Sequence, residues 1–319
     1  MRNNRFQNKV ATSSFTLPVA ALVATLLWAA VGPMSQSKAL CWLCCAVCSY
    51  LLVEFNNSNA LLRIRSRLTT STFLFGVGCF TFLHDSIAPI AVTFFVLGCY
   101  FFLFRSYQES NSSSNIYHAF VSLGIASLIH PILLGLVPFV YWSMAVYLRS
   151  LSFKSFCASL LGLFTPFWFY GAYLIYTQDY APLRMYAQKF IDFAHPALTD
   201  YLSLDITRLS ALLFILIIGL ISTIHALKTS YNDKIRTRMQ FYTLILFEAV
   251  ILLFLLVQPK QFDLFMALLT LTSAPVIAHF FALTSYRITN LLFILSIFIY
   301  LFIAFSSLWI SSLTLSQIF

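Results

Sequence analysis

Long apolar runs alternate with short polar gaps along the whole of this chain. A helix that crosses a bilayer needs about 20 apolar residues, with a range of roughly 17–25. Eleven segments are candidates: 15–32, 39–55, 69–83, 87–104, 116–130, 132–148, 155–176, 208–227, 240–257, 263–282 and 288–310. Backbone groups buried in lipid must be paired internally, so the segments are predicted to be helices. The expected fold is all-α: a polytopic helical membrane protein with about 11 transmembrane helices, treated as one integral membrane domain over 1–319. The gaps are short except for 177–207, the one sizeable polar segment. Within it, Pro182 to Phe193 has the pattern of a short amphipathic helix lying in the membrane interface.

Composition agrees. Hydrophobic residues make up 60 % of the chain and charged residues only 9 %, against roughly 25 % charged in soluble domains. The net charge of +9 does not point to nucleic acid, because the basic residues lie in short loops beside apolar runs. That distribution is what the positive-inside rule describes. The apolar stretch that follows Arg2, Arg5 and Lys9 reads as an uncleaved first helix, and all seven cysteines fall inside predicted spans.

Charge also decides the one ambiguous segment. Residues 116–148 are short for two passes and long for one. With two passes, 14 of the 19 Lys and Arg fall on the N-terminal side of the membrane and 5 on the other; with one pass the split is 11 to 8. The steeper bias favours two passes, a cytoplasmic N-terminus and an external C-terminus. Pro131 then marks the turn between the two limbs. Six of the ten acids fall outside: Asp85, Asp179, Asp192, Asp200, Asp205 and Asp263.

Candidate chemistry is sparse. His84 and Asp85 adjoin in an external turn, a pairing that suits a divalent cation or a phosphate, as well as a plain polar turn. Asp179, Arg184, Asp192, His195, Asp200 and Asp205 populate the long external loop, either as the rim of an external cavity or as solvated interfacial charges. Glu248 lies near the middle of a span, with His279 and His225 on neighbouring spans as possible partners. An ionisable group at that depth is costly and marks either a proton or ion site or a hydrogen-bonded neutral acid. Cys41, Cys44, Cys45 and Cys48 share one helix face, where small apolar packing is the simplest use. Arg63, Arg65 and Arg67 form a cytoplasmic cluster accounted for by topology.

From 56 to 176 the order of features resembles a known arrangement: RIRSR, then LHDSIAP, then FVSLGIASLIHP, then YLRSLSFKSF, then LLGLFTPFWFYGAYLIY. It resembles a family of multi-spanning inner-membrane proteins from Bacteroidetes. More distantly, it is similar to the membrane module of the GT-C glycosyltransferases. The resemblance implies an inner-membrane location, a polyprenyl-phosphate-linked substrate, chemistry on the external face and a divalent cation as cofactor. Asp85 matches the second acidic motif of those enzymes. The first external loop, GPMSQSK, is short and has no carboxylate where they carry a catalytic acid. Three expectations follow: a GT-C-like scaffold in lipid-linked glycan or envelope assembly, a non-catalytic membrane subunit, or a transporter or flippase centred on Glu248.

Overall fold

The computed structural model describes residues 5–32, 35–109, 112–193, 201 and 204–316, with the side chains of 191–193 and 310–316 left aside. Every regular element among the described residues is helical. In chain order these are α1 (Phe6–Thr12), α2 (Thr16–Ala30), α3 (Gln36–Asn59), α4 (Leu68–Cys79), α5 (Ile87–Arg105), α6 (Ser113–Ile129), α7 (Val137–Val146), α8 (Phe153–Thr177), α9 (Ala181–Phe193), α10 (Ile206–Thr229), α11 (Ile235–Val257), α12 (Phe262–Leu283) and α13 (Arg287–Ser316).

Seven of them, α3, α5, α8 and α10–α13, are long and apolar enough to cross a membrane, and a bent pair, α1 with α2, would make eight. The protein is a helical membrane protein. The other four predicted spans are built differently. Segment 15–32 becomes α2, bent by 96° against α1. Segment 69–83 divides into the 12-residue α4 and a 3-10 turn over Thr81–His84. Segment 116–130 is the 17-residue α6. Segment 132–148 is a 3-10 turn, Pro131–Leu136, followed by the 10-residue α7. The break after α6 has a covalent cause. Pro131 excludes the helical conformation from the residue before it, and His130 is extended at φ −134 and ψ 107.

Hydrogen bonds between distant segments show which helix ends lie together. Gln108 N donates to Leu148 O at 2.9 Å, so the chain leaves through α6 and returns through α7 to the same end. Arg63 meets Asp233 at that end, and the Gln7 amide donates to Phe281 O and to the Thr284 hydroxyl. At the opposite end Arg208 meets Asp263, Tyr186 donates to Ser127 O, and Tyr201 donates to Leu255 O. The amphipathic helix expected over 182–193 is α9, at that second end.

α12 is the central post. Its side chains from Leu264 to Ala282 are all buried, with α4, α5, α10 and α11 packed around it. Elsewhere the outward faces are apolar: Trp168 on α8 is 78 % exposed and Phe302 on α13 is 74 % exposed. Such faces are at home against lipid, not water. α6 and α8 approach at backbone contact. A Cβ on Gly162 would sit 2.5 Å from Tyr117 O, and one on Gly124 would sit 2.8 Å from Leu163 O. Small residues that let backbones meet are the usual adhesive between helices in lipid.

Candidate functional site

Ionisable groups gather on α10, α11 and α12 at three depths. The first layer closes the basic end. α3 terminates at Ala60 in the left-handed conformation, φ 48, and the turn that follows carries Arg63 back toward the α10–α11 connection. Two amide contacts hold this turn: Asn56 Nδ2 donates to Ser66 O at 3.3 Å, and Gln240 Nε2 donates to Asn59 Oδ1 at 2.8 Å. Arg63 Nε then reaches Asp233 Oδ1 at 2.6 Å and Arg63 Nη2 donates to Thr229 O at 3.3 Å. The other Asp233 oxygen lies 3.2 Å from His279 Nε2.

The Asp233 side chain is 3 % exposed, that of His279 is fully buried, and that of Arg63 is 36 % exposed. Burial alone would raise the Asp233 carboxyl. The hydrogen bonds from His279 and Arg63 outweigh it and hold the group below its ordinary range. The His225 ring lies 6.0 Å from that of His279, and the Nδ1 atoms of both rings are buried without a hydrogen-bond partner.

The sign of the Asp233 shift fixes a pH dependence. A carboxyl lowered on folding adds stability above its unfolded range, and the contribution is lost as pH falls through the lowered value. Asp233→Asn leaves buried donors short of an acceptor and is expected to cost about 2 kcal/mol at neutral pH. Thermal unfolding in detergent should show the gap between wild type and variant closing as pH drops well below about 4. A gap that stays constant down to that pH would mean the ion pair is not its source.

The second layer is Glu248, 13 residues into α11 from Ile235 and therefore about 20 Å along the helix axis from its start. The residue is 8 % exposed. Thr223 Oγ1 donates to Glu248 Oε2 at 3.3 Å. A Cβ on Gly219 would sit 2.7 Å from Glu248 Oε1, so the carboxyl occupies the space that only glycine leaves on α10. The buried hydroxyl of Ser222, also on α10, has no partner. By sequence, His279 is a possible partner of Glu248. They do not pair, because α11 and α12 run antiparallel: His279 stands four residues from the basic end of α12 and Glu248 near mid-depth.

The third layer is the opposite end. Arg208 binds Asp263 through both oxygens, at 2.9 and 3.1 Å, and Asp205 at 2.7 Å, with its guanidinium 5.3 Å from the Phe82 ring centroid. Paired planar donors facing a carboxylate make this a clamp between α10 and α12.

The remaining candidates are dispersed. The turn over Thr81–His84 sends adjacent side chains in different directions. His84 is buried, stacked on Trp28 at 3.8 Å, with Nε2 3.0 Å from Val77 O. Burial keeps its imidazole down at about 4, against a smaller opposing effect of the Val77 carbonyl. Asp85 faces outward, 3.9 Å from Lys38 and with its side chain 70 % exposed. The two adjoin in sequence yet share no ligand-binding geometry. Asp179 accepts from Ala181 N at 3.0 Å at the start of α9, and Arg184 is exposed on that helix. His195 and Asp200 lie outside the described residues, as does the Asp192 side chain. Among the described residues no group of three or more His, Cys, Asp or Glu is placed to hold a metal ion. Cys41, Cys45 and Cys48 are buried packing residues and all seven cysteines are free.

Compared with models of protein families, with curated proteins and with solved structures, the chain matches none. Sequence reasoning missed the pairing of Arg63 with Asp233. The one local hint was a carboxylate in the tight turn 230–234, and it names no partner.

Proposed function

We propose that this protein is a proton-linked membrane carrier whose proton-binding group is Glu248. The observation that carries the reading is the Glu248 carboxyl, buried at mid-depth against Gly219 and hydrogen-bonded by Thr223. An ionised carboxylate so placed is expensive, and taking up one proton removes the charge. The neutral acid can sit between α10 and α11 while those helices rearrange; the anion favours whichever arrangement gives it water. The His279 and His225 rings, whose buried Nδ1 atoms have no hydrogen-bond partner, lie at the basic end on one side of it. The Arg208–Asp263 clamp holds α10 to α12 on the other side.

In this reading the chain lies in the cell inner membrane with eleven crossings. The end carrying most of the basic residues faces the cytoplasm. The GT-C-like alternative rests on the sequence resemblance. Glycosyl transfer needs a carboxylate within about 3 Å of the acceptor hydroxyl. Asp85, Asp179 and Asp205 are each engaged at a separate place.

The test is proton flux into liposomes holding the purified protein and an enclosed pH-sensitive dye, under an imposed potential and an imposed pH gradient. Flux above that of protein-free liposomes is expected. Equal flux under every imposed gradient would end the reading.

A further inference from the structure

An open cleft of about 540 Å³ lies between α2 and α13. Both helices pack on α4, which contributes Leu68, Ser71 and Phe75 to the lining between them. α1 determines why the gap exists. Gln7 is tied to Phe281 O, Thr284 and Asn290, which pins α1 across the basic ends of α12 and α13. The chain then turns by 96° into α2, and the corner is left unfilled.

Three properties describe what fits. The walls are apolar, with Val19, Phe293 and Tyr300 among them, so a water-soluble ligand gains little there. The lining runs from Phe15, just before α2, to Val23 and on α13 from Phe293 to Leu301, in each case about 12 Å along the helix axis. That is close to one leaflet's share, about 15 Å, of a bilayer's hydrocarbon core. Finally, the lining includes Lys9 at the basic end, exposed on α1, and the neighbouring Arg5 has a buried guanidinium nitrogen, Nη1, without a partner.

We infer that the cleft binds one anionic phospholipid of the leaflet at the basic end, its chain between α2 and α13 and its phosphate on the Lys9 ammonium. This site stands independently of proton carriage, although Ile218 in its lining adjoins Gly219, against which Glu248 packs. Ile277 brings the same wall to within two residues of His279.

Native mass spectrometry on the purified full-length protein tests the site, with dioleoylphosphatidylglycerol and dioleoylphosphatidylcholine as probes. One phosphatidylglycerol should be retained under conditions that strip phosphatidylcholine. Lys9→Gln should weaken retention about fivefold, the effect of removing one basic charge near a lipid surface. Val19→Trp, at an exposed position in the wall, should abolish it, whereas Glu248→Gln should leave it unchanged. A phosphatidylglycerol with a photoreactive chain should label peptides of α2 and α13. Equal retention of the two lipids, or labelling spread evenly over the helices, would overturn the inference. If Val19→Trp fails to fold by circular dichroism, Lys9→Gln and the peptide map decide it.

Discussion

Glu248→Gln is expected to reduce proton flux to the level of protein-free liposomes, a complete loss of the protein-dependent flux, while the protein keeps its fold. The expectation follows from how little else the substitution changes. Glutamine has the same shape, still fits against Gly219 and can still accept from Thr223. It cannot gain or lose a proton in the accessible pH range. Replacing an acid that is costly to ionise at this depth by a neutral amide should leave thermal stability unchanged or slightly raised. The pairing of lost flux with retained stability is the signature. Full flux in Glu248→Gln would show that protons take another route and would sink the assignment.

The second large effect concerns stability. Gly162→Val should separate α8 from α6, because a Cβ there would lie 2.5 Å from Tyr117 O and 3.1 Å from the Phe120 Cβ. Tyr117 O is backbone, so the helix itself must move. Overpacking in a core typically costs 1–3 kcal/mol, and a displaced helix pair falls at or above about 3. Gly171 supplies the internal control, since nothing lies within 4 Å of a Cβ built on it. Gly171→Val on the same helix should be close to neutral. Thermal unfolding followed by size-exclusion chromatography in detergent checks both. Equal losses in the two variants would mean that the close approach to α6 is not what Gly162 supplies on α8.

What the chain discloses before folding depends on the distance over which a signal acts. Apolar length and charge placement are local, and they were legible: the helical class, the amphipathic α9, the turn at Pro131. The charge split even favoured an excursion and return over 116–148, and the Gln108–Leu148 hydrogen bond returns the chain to its starting end. The partnership of Arg63 with Asp233 is different, since 170 residues separate them. No periodicity encodes which two ends of a bundle will touch. Contiguity can also mislead. His84 and Asp85 share a peptide bond, yet one is stacked under Trp28 and the other stands near Lys38. Glu248 was identifiable from its depth alone, but its glycine seat on α10 was not, because a glycine in an apolar run has many uses.

The enclosure of α12 also bears on how the protein is made. α4, α5, α10 and α11 lean on a helix that begins at Phe262, late in the chain. During synthesis the earlier helices enter the bilayer without the surface they will finally pack against. Until α12 follows, their inward faces meet lipid or one another. Ribosome stalling or a stop codon before Phe262 should therefore yield a protein that inserts but does not consolidate, and membrane proteases should clear it faster than the full chain.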